Sequence, residues 1–131
     1  MPSTEVHTII LRPAAGALYG ASTVMSGWVA VPPGTRVVTV QNRVFAAPGG
    51  TTPVMATYVL ESLDLSNTRT VEQWSNINSQ STTQVAYPVA IPNQYGSGFP
   101  AKYVSLPYIQ IQLTFGGTTP TFDAEVTISF I

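Results

Sequence analysis

The run YIQIQLTFGGTTPTFDAEVTISFI, residues 108–131, decides how the rest of the chain is read. Ile109, Ile111, Leu113 and Phe115 alternate with Gln110, Gln112 and Thr114, and Phe122, Ala124, Val126, Ile128 and Phe130 alternate with Asp123, Glu125, Thr127 and Ser129. Side chains on a strand point to opposite faces in turn, so each run lays one apolar row on a core and one polar row on water or a partner. With Gly116 to Thr121 between them as turn chemistry, the two runs predict a β-hairpin whose strands sit centrally in a sheet. The second run reaches Ile131, which predicts a C-terminal end tied into that sheet.

Working back from this stretch, Val54 to Leu65 is a second strand, apolar enough to be buried on both faces for part of its length. Thr35 to Phe45 is a third, with Val38 and Val40 on one face and Asn42-Arg43 marking a bulge. Ala46 to Pro53 reads as a loop, Ser66 to Thr70 as a polar turn, and Val71 to Ile77 as a strand with blurred alternation. Val24 to Val31 is a strand closed by Pro32-Pro33-Gly34, with Trp28 in the core, and Ala14 to Thr23 is a glycine-rich loop with room for one short edge strand. Val6 to Leu11 is either a first strand or an arm laid on a neighbour. Residues 78–107 carry Pro88, Pro92, Pro100, Pro107 and Gly96-Ser97-Gly98, so only short strands such as Gln84 to Ile91 and Lys102 to Leu106 fit. No internal repeat and no helix of three turns is expected. The sum is an all-β chain: an antiparallel β-sandwich, jelly-roll-like, of about eight strands. Its organisation is an N-terminal arm or edge strand over 1–12 and a single sandwich domain over 13–131.

Composition narrows the function. Cysteine is absent, which removes disulfides, thiolate metal sites and thiol nucleophiles together. Charged residues make up 8% of the chain, against about 25% in ordinary domains. A net charge of -1 steers neither nucleic acid nor anionic membrane, both of which need clustered Lys or Arg. The same neutrality protects poorly against association and argues for a protein that ends up assembled. No cationic segment followed by an apolar run opens the chain, and no apolar stretch approaches the roughly 20 residues of a membrane span. The expectation is a soluble protein of cytoplasmic synthesis.

Catalytic chemistry finds little to work with. His7 is the only histidine, and no Gly-x-Ser-x-Gly elbow presents a serine to it. Asp123 and Glu125 share a strand face, a spacing that an ordinary solvated face also produces. No phosphate loop, zinc spacing or calcium loop is present. The expectation is no enzyme, no metal and no cofactor. Aromatic residues cluster instead: Tyr87, Tyr95, Phe99, Tyr103 and Tyr108 lie in or beside the long Pro/Gly region. They fit a core or subunit interface, and as a second reading they fit the sugar platform of a carbohydrate-binding or receptor-binding module of a phage tail or fibre.

The succession Tyr58-Val-Leu-Glu-Ser-Leu-Asp64, a polar turn, Val71-Glu-Gln-Trp74, a long loop, Lys102-Tyr-Val104, Tyr108-Ile-Gln-Ile-Gln-Leu-Thr114 and a closing alternating strand resembles the small β-sandwich head decoration, or cement, proteins of tailed bacteriophages. The resemblance spans about residues 54–131 and consists of strand and turn order. It implies a structural virion protein on the capsid surface that bridges subunits of the major capsid protein, itself a dimer or trimer, with no catalytic residues to carry over. On that reading the contacts fall on Val6, Ile9, Ile10 and Leu11 of the arm and on the loop around Tyr95 and Phe99.

Overall fold

The structure, a computed structural model, describes residues 6–89, 104 and 107–131. Among these there is no helix. Nine strands form: β1 (Val6–Leu11), β2 (Val24–Met25), β3 (Val29–Ala30), β4 (Val37–Val44), β5 (Gly49–Ser62), β6 (Thr68–Ile77), β7 (Ser81–Pro88), β8 (Tyr108–Thr121) and β9 (Ala124–Phe130). They make two antiparallel sheets, one ordered β1-β9-β4-β7 and the other β2-β8-β5-β6, with β3 also on β8. The chain is thus wound as one long nested hairpin: β1 lies on β9, β2 and β3 on β8, β4 on β7, and β5 on β6. β2 and β3 act as a single strand interrupted at Ser26, whose N–H donates to the Ile111 carbonyl (2.9 Å) while its Oγ accepts the Ile111 N–H (2.9 Å). With that pair counted once, eight strands in two sheets give the jelly-roll winding that the alternation predicts.

The closing hairpin is the main correction. Its two runs are strands, and each lies centrally, but they belong to opposite sheets and do not pair with each other. β8 crosses to β9 at Phe122 and Asp123, and the predicted turn residues continue β8. They pair with Gly49 to Val54, of which Gly49 to Pro53 had the composition of a loop.

Behind this pairing lies a repeat that periodicity analysis passes over. Gly49-Gly50-Thr51-Thr52-Pro53 and Gly116-Gly117-Thr118-Thr119-Pro120 are the same pentapeptide. The two copies lie on one another, with Gly49 opposite Thr121, Thr51 opposite Thr118 and Val54 opposite Gly116. Register shifts on either side of Thr51 give each strand one extra residue, so the arrangement has a local two-fold axis. The backbone repeats too: Gly50 and Gly117 both have φ of 98°, and Thr52 and Thr119 have φ of 47° and 46°.

Inward rows from both sheets fill the core: Val38, Val40 and Val44 of β4, Met55 and Val59 of β5, Ile109, Ile111 and Leu113 of β8, and Ala124, Val126, Ile128 and Phe130 of β9. Asn42 continues the inward row of β4 without a bulge. It is buried, and its Oδ1 accepts a hydrogen bond from Thr57 Oγ1 across the two sheets at 3.0 Å. Thr57→Val removes that donor and strands a buried amide, so it is expected to cost about 1–2 kcal/mol in chemical denaturation, while the double Asn42→Leu/Thr57→Val recovers most of the loss. Trp28 is half-buried and stands outside the core cluster, contrary to its sequence assignment, because it falls in the interruption between β2 and β3. The last residue is tied down as expected: Ile131 N–H donates to Val37 O (2.9 Å), and its carbonyl accepts from Arg36 N–H (2.8 Å).

Candidate functional site

Among the described side chains, charge gathers at the two ends of the sandwich. Between the ends, the outward rows of the central strands are neutral: half-buried Gln41 and Thr127 on one sheet and half-buried Ala56, Tyr58, Gln112 and Thr114 on the other, with Thr39, Ser129 and Gln110 of the same rows buried.

At the end where the GGTTP ribbon leaves the sheets, Arg12 follows β1 and reaches across β9. Its guanidinium lies 3.5 Å from Asp123 Oδ1 and 3.7 Å from Glu125 Oε2. It also stands 4.2 Å from the centroid of the Phe45 ring, with the Arg43 guanidinium 4.7 Å from the same ring. Phe45 is held there because its N–H donates to Asp123 O at 2.9 Å. Recesses of about 530 Å³, lined by Arg12 through Leu18 and Asp123, and about 170 Å³, lined by Arg43 to Phe45 and Gln80 to Thr82, flank this knot. Both acids that the sequence offers as a paired set are therefore engaged by one arginine, an arrangement that ties the end of an edge strand to its neighbours. Burial raises the nearby Tyr19 phenol, with Arg12 acting in the opposite direction. Among the described residues no group of three or more His, Cys, Asp or Glu comes together to hold a metal.

At the opposite end, β5 turns into β6 through Leu63 to Asn67. Glu61 is fully buried at the end of the inward row of β5 and meets Arg69 Nε, its cross-strand partner, at 2.6 Å. Above this ion pair Asp64 organises the turn: its Oδ1 accepts the N–H of Ser66 (3.0 Å) and of Asn67 (2.8 Å), and its Oδ2 accepts from Asn67 Nδ2 (2.8 Å). Ser62 Oγ donates to Asn67 O at 2.6 Å and closes the base. The result is a fastened turn that holds Leu63 68% and Leu65 47% exposed, with Leu65 at φ 66°, an unusual conformation for a branched side chain.

The donors on Asp64, the Asn67 and Ser66 N–H groups first, hold its carboxyl far below the ordinary carboxylate range. A depressed folded-state value means the contribution of Asp64 is complete above the unfolded value of about 4 and fades only as pH falls below it. The Ser66 and Asn67 amide resonances are therefore expected to keep their neutral-pH positions on titration through pH about 4, and to move in Asp64→Asn at every pH.

The sequence-derived contact residues are placed as follows. Val6, Ile9, Ile10 and Leu11 lie together on β1, an edge strand along β9. Leu11 is buried in this chain's own core and Ile10 packs against that core half-buried. Tyr95 and Phe99, with Tyr103, lie outside the described residues. Tyr87 is 1% exposed and so is no platform for a sugar; Tyr108 is half-buried. Leu63 and Leu65 were missed because a Leu-Asp-Leu at the end of a strand reads as more strand. The signal that could have found them is the Ser62-x-Asp64-x-x-Asn67 spacing, three short polar side chains of the kind that fasten turns.

No protein-family model matches the chain, and no curated protein matches it. Its fold is similar to solved structures of assembled particles and fibres. A chain of the cowpea mosaic virus top component, described as naturally occurring empty particles, is 12% identical, with 100% of this chain and 88% of that one covered and a TM-score of 0.49. A chain of Bacillus endospore appendages, described as disulfide-linked pili, is 12% identical over 97% of this chain and 88% of that one, with a TM-score of 0.48. A chain of infectious bursal disease virus, Gx strain, is 9% identical over 97% of this chain but only 32% of that one, with a TM-score of 0.48. These likenesses are of fold alone.

Proposed function

We propose that this chain is a non-enzymatic structural protein of a virion, a decoration or cement protein that attaches to the outside of a phage head and bridges subunits of the major capsid protein. The observation that carries this reading is the division of the surface. Neutral Thr/Gln faces can be covered by another protein with little cost in stripping water from charges. The fastened Leu63/Leu65 turn supplies an apolar anchor of fixed geometry at one end. A rigid turn loses little freedom on docking, which is where much of the cost of association lies. Many copies on a lattice then convert modest single contacts into durable attachment.

The turn replaces the N-terminal segment as the leading contact. Removing residues 1–12 would strip β1 from β9 and Leu11 from the core, so loss of binding after that deletion would say nothing specific about contact. Leu63→Ser/Leu65→Ser leaves the core untouched. Burying one leucine is worth about 1.5–3 kcal/mol, so the double variant is expected to weaken co-sedimentation with particles lacking the protein by at least about tenfold, with an unchanged melting temperature. Full-strength binding by a folded double variant removes this turn from the contact. Retention of the wild type on a glycan column with no binding to particles overturns the reading as a whole.

A further inference from the structure

The first strand is joined to the rest of the molecule in an unusual way. β1 ends its sheet and pairs with β9 alone among the described strands, from Val6↔Phe130 to Leu11↔Val126 with a shift between Ile9 and Leu11. Leu11 is buried in the core, and Arg12 next to it reaches Asp123, Glu125 and the Phe45 ring. The chain is fixed again at Tyr19, whose N–H donates to Phe122 O and whose carbonyl accepts the Phe122 N–H, both at 2.9 Å. Eight residues lead from Leu11 to Tyr19 where four lead from Val126 to Phe122. The strand therefore carries four residues of slack at this point.

That slack lies in solvent. Ala14 to Leu18 are all exposed, Leu18 at 55%. Ala17 N–H donates to Ala14 O at 2.8 Å, which closes the loop on itself, and Gly16 turns at φ 79° with nothing within 4 Å of where a Cβ would stand. The loop borders the recess of about 530 Å³ that it shares with Asp123. Drawn out, residues 12–18 span up to about 23 Å, more than the roughly 20 Å length of β1 itself. β1 is thus an edge strand held by one ladder and one arginine, on a tether long enough to lift it clear.

We propose that residues 6–12 form an exchangeable plug, so that in concentrated solution β1 of one copy fills the place beside β9 of a second copy, and reciprocally. The exchange needs no open sheet edge, because the surface it uses is the one β1 already occupies. The ladder to β9, the burial of Leu11 and the contacts of Arg12 with Asp123, Glu125 and Phe45 all re-form on the partner. No contact of the folded chain is lost, and what opposes the exchange is the freedom given up on association. Swapping an identical element is for that reason a low-cost route to a dimer, and reciprocal swapping closes at two copies. A net charge of -1 per chain lets two copies approach without appreciable repulsion. The inference concerns the isolated protein and does not rest on shell attachment, so either can fail without the other.

The test exploits the absence of native cysteine. Ile9 and Thr127 are register partners, which places their Cα atoms about 4.5–5.5 Å apart, within disulfide reach. Ile9→Cys and Thr127→Cys chains, refolded together at high concentration and oxidised, are expected to give a covalent heterodimer. Gln41→Cys in place of Thr127→Cys is not, since Gln41 lies on β4 opposite Thr127, about 10 Å from β1. The single chain Ile9→Cys/Thr127→Cys, oxidised when dilute, is expected to close its bond internally and to sediment as a monomer at concentrations where the wild type dimerises. The proposal is overturned if the mixture gives no heterodimer although the doubly substituted chain closes its bond, or if Gln41→Cys links as efficiently as Thr127→Cys. A wild type that stays monomeric at every concentration, or a locked chain that dimerises as the wild type does, overturns it equally.

Discussion

Arg69→Met is expected to destabilise the fold by about 3 kcal/mol, because it takes the cation from a carboxylate that has no access to water. Glu61 is completely buried and sits 2.6 Å from Arg69 Nε, in the row otherwise occupied by Met55, Thr57 and Val59. Removing one member of such a pair costs about 3–5 kcal/mol where both are enclosed. The lower end applies here because the Arg69 side chain is 42% exposed and water can take part of its place. The pair itself need not be a net stabiliser, since both ions had to be desolvated to form it. Hence Glu61→Met/Arg69→Met is expected to recover at least about half of the single-variant loss. Urea denaturation of the three proteins checks this, and a single variant within about 0.5 kcal/mol of wild type would show that the turn end opens to solvent more readily than its burial indicates.

Gly50→Ala and Gly117→Ala form the second large pair, each expected to cost about 2–3 kcal/mol. Both glycines sit at φ of 98°, where a side chain is strained regardless of space. Space is lacking as well: a Cβ on Gly50 would stand 2.7 Å from Thr118 O with Thr119 O closer still, and one on Gly117 2.8 Å from Thr51 O with Thr52 O closer still. These neighbours are backbone and cannot swing away. The two-fold arrangement makes a sharper statement than either number. The two losses should be equal within error, and the double variant should cost less than their sum, since either change alone opens the same paired segment. Gly27→Ala, with nothing within 4 Å of its Cβ, is the neutral control. Hydrogen exchange at Thr51 and Thr118 follows the local opening.

These two cases also show where the sequence is legible and where it is not. Alternation at Ile109 to Phe115 and at Phe122 to Phe130 identifies strands and their inward faces, because burial of one face leaves a period of two in the residues themselves. It carries no information on which strand lies beside which. Gly116 to Thr121 satisfies every rule for a turn, and only its twin at Gly49 to Pro53 shows that the two segments use their glycines to pass close to each other. A five-residue repeat is too short to register as periodicity. Asn42 misled for a related reason: a polar residue in an apolar row suggests a bulge until Thr57, on the facing sheet, is seen to supply its hydrogen bond. The end sites were least legible. Arg12, Phe45, Asp123 and Glu125 come from three separate parts of the chain, while the contacts expected at Tyr95 and Phe99 lie outside the described residues.

The nested winding has a consequence in time. Each pair of strands encloses all the pairs inside it, so β5 and β6 can meet across a five-residue connection, whereas β1 must find β9 across nearly the whole chain. The entropy of closing a loop grows with its length, and folds dominated by distant contacts are slow, commonly milliseconds to seconds. The expected order is therefore outward from the Asp64 turn: β5 with β6, then β8 and β4 with β7, and β1 last. The turn fastened by Asp64 is thus the expected point of nucleation, and the strand expected to join last, Val6–Leu11, spends the longest time free to be captured by another copy. Slow refolding with transient exchanged dimers is the kinetic signature of that order, and an amide-protection time course that shows β1 lagging behind β6 would record it.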